Sequence, residues 1–137
     1  MRQGSLFTGQ PVLSQLLNLI PRSLVERLGR EHQADRYCKR FYTSDHVVTM
    51  LAGVFMGCTS LRELTTGLQA CEQRLRHAGL KHTPRRSTLA DANARRPEAL
   101  FGDLFHGLYH RYYGSSPDSR RKKDPLSRLH ILDSTTI

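Results

Sequence analysis

The residues best suited to take part in chemistry lie near the end of the chain, where an apolar run precedes a single carboxylate. Leu129, Ile131 and Leu132 form a short apolar run that is typical of a buried β-strand, and Asp133 follows it directly. A carboxylate held at a strand end can bind a divalent metal ion for phosphoryl transfer. The same pattern suits a carboxylate that caps a turn or a helix, so both interpretations stay open.

A second set of candidates lies in the basic segment 74–96, which has seven Lys or Arg residues and one acidic residue, Asp91. A helix that follows arginines and contains small residues can bring its backbone close to DNA. Within it, Asn93 could read an adenine edge, and its arginines could bind phosphates or guanine. The residues predicted to bind DNA are Lys81, Arg85, Arg86, Ser87, Thr88, Asn93, Arg95 and Arg96, with Arg120, Arg121, Lys122 and Lys123 of a later basic run. The alternative is that Leu89, Ala90 and Ala94 pack this helix on a bundle while its arginines are only solvated.

The charge balance indicates a polyanionic partner. The 137 residues include 21 Lys and Arg against 12 Asp and Glu, a formal net charge of +9. Such an excess is typical of nucleic-acid-binding proteins. Small basic domains that bind acidic proteins have the same excess, and so do domains in which the charge serves only to maintain solubility. No apolar run is long enough for a membrane span, so we expect neither membrane insertion nor secretion.

The cysteines and histidines do not predict a metal site. Cys38, Cys58 and Cys71 stand at wide, unpatterned spacing, which is typical of reduced, buried thiols rather than of a disulfide framework or a zinc site. His106 and His110 are one helical turn apart and could share a metal ion. No Cys, Asp or Glu completes a ligand set, so a solvated helix face is the favoured interpretation.

Apolar periodicity predicts an all-α fold of about six helices in residues 1–114. Residues 46–56 are apolar nearly all round and are predicted to form the central buried helix. Residues 61–75 are predicted to form one helix that ends before Gly79. The helix 98–113 is predicted to face the core through Leu100, Phe101, Leu104, Phe105, Leu108 and Tyr109.

Short polar side chains mark the predicted helix starts, because their oxygens can accept hydrogen bonds from the first backbone N–H groups. Two pairs have the spacing of a capping box, in which a Glu follows the cap by three residues. The predicted caps are Ser23 with Glu26, Thr43 or Ser44, Ser60 with Glu63, and Ser87 or Thr88.

Several short motifs follow one another along the chain and together carry a resemblance to a known family. They are Gln15-Leu16-Leu17, Ile20-Pro21-Arg22, Ser60-Leu61-Arg62-Glu63-Leu64, His77-Ala78-Gly79-Leu80, Arg86-Ser87-Thr88-Leu89-Ala90-Asp91-Ala92-Asn93 and Ile131-Leu132-Asp133-Ser134-Thr135. With these motifs the chain resembles bacterial insertion-sequence transposases of the insertion-sequence-four group, which belong to the DDE superfamily. The resemblance implies a helical DNA-binding domain at 1–114, a basic linker at 115–127, and the first β-strand of a truncated RNase H-like core at 128–137.

The resemblance also implies a function. Asp133 would be the first catalytic carboxylate and a metal ligand, with Mg²⁺ or Mn²⁺ bound in the complete enzyme and no metal expected on this chain. The second Asp, the Glu and the Tyr-Arg-Glu-Lys signature of the family are missing, so we expect a transposase fragment that is catalytically incomplete alone.

The implied partner is double-stranded DNA at transposon terminal repeats, with no small-molecule substrate. A homo-oligomer or a complex with full-length transposase is also expected, at the bacterial nucleoid in the cytoplasm. The alternative is a stand-alone helical interaction module that inhibits full-length transposase through mixed oligomers.

Overall fold

The computed structural model describes residues 12–113, and all regular secondary structure in this part of the chain is helical. The predicted linker at 115–127 and the predicted strand at 128–137 lie outside it. The all-α prediction is confirmed for the described residues, which form seven helices rather than about six. They are α1 (Val12–Asn18), α2 (Arg22–Glu31), α3 (Thr43–Met56), α4 (Leu61–Ala70), α5 (Glu72–His77), α6 (Arg86–Arg95) and α7 (Glu98–Tyr113).

The additional helix arises because the predicted helix 61–75 is interrupted at Cys71. The backbone there has φ −108° and ψ 13°, and the Cys71 N–H is shared between the carbonyls of Gly67 and Leu68 at 3.1 and 3.2 Å. Shared bonds of this kind are common where a helix ends. Gly79, with φ +97°, follows α5 as predicted, because glycine adopts this left-handed conformation without steric cost.

The predicted cap at Ser60 is confirmed. The Ser60 hydroxyl accepts the Glu63 N–H at 3.2 Å, whereas the Glu63 carboxylate accepts the N–H of Thr59, the residue before the cap, at 2.8 Å. The box at Ser23 is wrong, because α2 already begins at Arg22, after Pro21. The Pro21 carbonyl accepts the first intrahelical bonds, which leaves Ser23 inside the first turn.

The start of α3 is also capped differently from the prediction. Its N-cap is Tyr42, so Thr43 and Ser44 lie within the first turn. Asp45, almost fully buried, accepts the Tyr42 N–H at 3.4 Å and the Lys81 N–H at 3.1 Å. This carboxylate therefore links the α3 N-terminus to the loop that precedes α6.

α3 lies at the centre of the fold, as predicted, and separates two apolar clusters. The first joins α3 to α4, α5 and α6 and is formed by Phe41, Val48, Ala52, Leu64, Leu68, Leu75, Leu80, Leu89 and Ala92. The second joins α3 to α2 and α7 and is formed by Val25, Leu28, Val47 and Leu104. The last turn of α3 departs from the prediction, because Val54 and Phe55 are 75% and 51% exposed. α4 leaves α3 at an angle of 96°, so it leaves part of that turn uncovered.

Helix α7 packs on the core with a narrower stripe than predicted. Leu100 and Leu104 are buried, whereas Phe105 and Tyr109 are 63% and 46% exposed. Each aromatic residue follows a leucine of the packed face, Leu104 or Leu108, and is therefore rotated about 100° from it round the helix axis. This rotation places both aromatic residues beyond the face that contacts α2. Phe105, Tyr109 and Tyr113 instead stack on each other, with centroids 6.2 and 4.7 Å apart. We call these three residues the aromatic ladder.

A buried arginine fastens the segment between α2 and α3 to the end of α6. The Arg96 side chain is fully buried, and its Nη2 donates to the Phe41 carbonyl at 2.5 Å and to Asp35 at 3.3 Å. Asp35 also accepts the Thr43 N–H and hydroxyl at 2.7 and 2.9 Å. The guanidinium also lies over the Phe41 ring, 5.5 Å from its centroid, while its Nε and Nη1 are buried without a hydrogen-bond partner.

His46 connects the central helix to α6 and α7. Its Nε2 is 2.7 Å from the Asn93 Oδ1, and its ring meets the Phe101 ring edge-on at 5.3 Å. Burial lowers the pKa of His46 below its ordinary value of 6.5; the Asn93 hydrogen bond opposes this effect, and the charge of Arg96 adds to it. The imidazole is therefore neutral in the folded state at neutral pH.

Among residues 12–113, no single helix has the length and apolarity needed to cross a membrane. Only α3 and α4 taken together pass that test, as a pair bent by 96°.

Replacing Arg96 with Ala should lower the free energy of unfolding by about 3 kcal/mol, because it leaves the partly buried Asp35 carboxylate without its cation. Arg95→Ala is the matched control and should cost less than about 1 kcal/mol, since that side chain is exposed. Urea denaturation followed by circular dichroism measures both. Equal stability of the two variants would contradict a structural role for Arg96.

The unfolding free energy should also fall as the solution is acidified through the ordinary pKa of histidine. The unfolded chain protonates His46 near pH 6.5, whereas the folded state disfavours the charged form. The contribution of His46 is therefore complete above pH 6.5 and is lost as the pH falls below it. His46→Gln should flatten this slope in pH-dependent urea melts, whereas the exposed control His82→Gln should keep it. An unchanged slope in His46→Gln would rule out His46 as its source.

Candidate nucleic-acid interface

The N-terminus of α6 carries no side-chain cap. Its N-cap is Arg85, in an extended conformation, and no acidic residue lies in the first turn. The prediction that Ser87 or Thr88 caps this helix is wrong, because both residues lie inside the first turn and are exposed. The first N–H groups of a helix form the positive end of its dipole, and anions bind there readily.

The loop that leads into α6 is fixed by its apolar residues. Leu80 is 2% exposed and Pro84 is buried, while the Lys81 N–H donates to the buried Asp45 carboxylate. The side chains of Lys81 and Arg85 remain exposed. The loop backbone is therefore anchored on α3 while its charged groups face solvent.

Packing of α4 against α6 brings a further arginine to the same surface. A depression of about 460 Å³ lies between the starts of the two helices, and its lining residues are Ser60, Leu61, Arg62, Arg86, Ser87 and Ala90. We call it the α4–α6 notch. No carboxylate lines it, and among residues 12–113 neither Arg62 nor Arg86 has an acidic partner. Two unneutralised guanidinium groups beside an uncapped helix start can bind a phosphate group.

Arg62 was not among the residues predicted from the sequence. It is distant from the basic segment along the chain, and its place inside the Ser60 capping box gave it a structural explanation. Only the contact between α4 and α6, through the buried Leu64, Leu68 and Leu89, brings it next to Arg86. To find Arg62 from the sequence, one would have had to predict that α4 packs against α6.

The exposed face of α6 presents small side chains beside the notch. Ala90 and Ala94 are exposed, whereas Leu89 and Ala92 are buried. The alternative expectation, that Ala90 and Ala94 pack this helix on the bundle, is therefore wrong, and only Leu89 has that role. Small side chains at this face allow a duplex to approach the helix backbone closely.

The polar residues at the C-terminal end of α6 have partners within the protein and lie away from the notch. Asn93 points its Oδ1 at His46, which argues against the predicted reading of adenine. Arg95 is about half exposed and contacts Asp91 and the Cys38 Sγ, at 3.8 and 3.3 Å. Arg96 is 4% exposed, so the prediction that it binds DNA is corrected, because a buried guanidinium does not reach a phosphate.

The predicted site residues thus fall into three groups. Lys81, Arg85, Arg86, Ser87 and Thr88 lie together at the exposed start of α6, whereas Asn93, Arg95 and Arg96 lie at its other end. Asp133 and the run Arg120, Arg121, Lys122 and Lys123 lie outside the described residues. Within residues 12–113, no group of three or more His, Cys, Asp or Glu side chains is placed to hold a metal ion.

Comparison with known proteins gives one match. The family model of a domain of unknown function (DUF4372), which is found in transposase-like proteins, matches residues 8–81. This match spans α1 to α5 and includes Arg62, whereas α6 and α7 lie beyond it. No curated protein and no solved structure matches the chain significantly. Because the matched residues make up more than half of the chain, this protein belongs to the DUF4372 family.

Proposed function

We propose that this chain is the N-terminal, DNA-binding part of a transposase and that it binds double-stranded DNA at transposon ends. The binding surface consists of the α4–α6 notch, the exposed face of α6 and the basic loop before it. The observation that carries the proposal is the convergence of Arg62 and Arg86 on an uncapped helix start, in a notch that no carboxylate lines. Each phosphate neutralised there releases counterions, which favours binding to a duplex.

The role of each group follows from its place on this surface. The α6 N–H groups, Arg62 and Arg86 hold one phosphate, and Lys81 and Arg85 contact the backbone on either side. The exposed alanines of α6 allow the helix to approach the groove. Asn93 and Arg96 have structural roles, as partners of His46 and Asp35.

A more specific proposal concerns the transposase group and the catalytic core that would follow this DNA-binding domain. We propose membership of the insertion-sequence-four group and the DDE superfamily, in which Asp133 is the first metal-binding carboxylate. Mg²⁺ or Mn²⁺ acts in the complete enzyme, whereas this chain alone only binds DNA. The basic residues 120–123 add phosphate contacts beyond those of the helical domain. The support for this assignment is the ordered set of sequence motifs and the occurrence of the DUF4372 domain in transposase-like proteins.

Replacing both Arg62 and Arg86 with Ala should weaken duplex binding and reduce the slope of log K against log salt by about one, because the phosphate that both guanidinium groups hold is no longer neutralised. Fluorescence anisotropy at several salt concentrations measures the slope, and circular dichroism checks the fold. The matched control, Arg40→Ala with Arg74→Ala, removes the same charge from exposed positions outside the notch. An unchanged slope in Arg62→Ala/Arg86→Ala, or an equal loss in the control, would exclude the notch as the binding site.

The aromatic ladder favours a second candidate function. Three stacked aromatic rings on an exposed helix face form an apolar patch of the kind that marks a protein interface. In this alternative the chain is a helical interaction module. It pairs through α7 with the same helix of a full-length transposase and inhibits that enzyme in mixed oligomers.

If the ladder is an interface, replacing Phe105 and Tyr109 with Ser should shift a self-associated protein toward monomer with little change in melting temperature. Leu104→Ala, on the buried face of the same helix, should instead destabilise the fold by roughly 2–5 kcal/mol. Sedimentation velocity and thermal melts separate the two effects. A wild-type protein that is monomeric at high concentration, and that does not bind the full-length enzyme, would contradict this second function.

A further inference from the structure

A second arginine-lined cavity is formed by helices that do not line the α4–α6 notch. It has a volume of about 470 Å³, opens between α2 and α7, and is lined by Pro21, Ser23, Leu24, Arg27, Arg30, Gly107 and Arg111. We call it the α2–α7 cleft. It contains three guanidinium groups from two helices, and no carboxylate lines it.

The charges in the α2–α7 cleft are largely unneutralised. Among the described residues Arg30 and Arg111 have no acidic partner. Arg27 is 3.6 Å from Glu31, and both side chains are more than half exposed, so this pair is weak. Three like charges that converge on one cleft repel each other. An anion bound between them would relieve that repulsion.

The packing of the two helices fixes the position of these arginines. At Gly107 a Cβ atom would lie 3.2 Å from a methyl group of Leu24, so glycine allows α2 and α7 to approach closely. The Tyr112 hydroxyl donates to the Leu19 carbonyl, and the Arg111 guanidinium lies 5.9 Å from the centre of the Tyr112 ring. The end of α7 is therefore fastened to the segment before α2, which keeps Arg111 opposite Arg27 and Arg30.

We propose that the α2–α7 cleft is a second phosphate-binding site and that it takes the backbone of a second nucleic-acid segment. Clustered guanidinium groups suit phosphate, since each group can donate two parallel hydrogen bonds to its oxygens. The notch belongs to α4 and α6, whereas the cleft belongs to α2 and α7, and α3 packs between α2 and α4. One chain can then hold two duplexes at once. The assignment of nucleic acid as the source of the phosphate rests on the proposed function, whereas the phosphate site itself does not.

The test asks whether one chain brings two duplexes together. Short duplexes labelled with a donor or an acceptor dye are mixed with the wild-type protein, with Arg30→Ala/Arg111→Ala, and with the charge-matched control Arg40→Ala/Arg74→Ala. We expect energy transfer between duplexes for the wild type and the control, and its loss for Arg30→Ala/Arg111→Ala. That variant should still bind one duplex, because its notch is intact, and circular dichroism confirms that it is folded.

A second arm uses inorganic phosphate and observes the Gly107 backbone amide by nuclear magnetic resonance. Saturable shifts in the wild type that are absent in Arg30→Ala/Arg111→Ala, without energy transfer between duplexes, would support the site and identify free phosphate as its ligand. If the wild type bound no duplex at all, the proposed function would be wrong. The titration with inorganic phosphate would still show whether the cleft binds phosphate. Bridging and phosphate shifts that are the same in the variant and the wild type would overturn the proposal.

Discussion

The fold depends on the burial of one charged side chain, the Arg96 guanidinium. A buried cation is costly unless it is paired and hydrogen-bonded, and the segment that joins α2 to α3 supplies partners for one of its nitrogens, Nη2. Asp35 supplies the countercharge and Phe41 supplies a carbonyl. Asp35 in turn accepts two hydrogen bonds from Thr43 at the start of α3. The end of α6, the start of α3 and the loop between α2 and α3 are therefore held as one unit, although α6 is far from the other two in sequence.

This unit determines which part of α6 is available to a ligand. Its C-terminal end is held by Arg96 and by the bond between Asn93 and His46, and Leu89 buries its inner face. The uncapped N-terminal end is left at the surface, where the start of α4 meets it. The anchored C-terminal half of α6 thus fixes the position of the N-terminal half. There, Arg62 and Arg86 lie beside the uncapped N–H groups. A rigid presentation of this kind reduces the entropy lost on binding.

The sequence predicted features that depend on local patterns. The helical character, the central position of α3, the Ser60 cap and the Gly79 stop all follow from neighbouring residues, and all are confirmed. The features it did not predict depend on which elements meet in space. Arg96 has the same local pattern as Arg95, and only the position of Asp35 makes it a buried ion-pair partner. Phe105 continues an apolar stripe, but it is 63% exposed, because α2 contacts α7 on the face of Leu104. Arg62 joins the candidate site only through the packing of α4 on α6.

The most direct test of the account is to map the surface that a DNA duplex touches, residue by residue. Backbone amide shifts recorded while a short transposon-end duplex is added should change first at residues 60–62 and 85–88, with a salt dependence that follows the affinity. The amides of residues 93–96 should change little, because they lie at the end of α6 that is remote from the notch. Shifts confined to other surfaces, or no shifts with any duplex at moderate salt, would contradict the claim that the α4–α6 notch binds DNA.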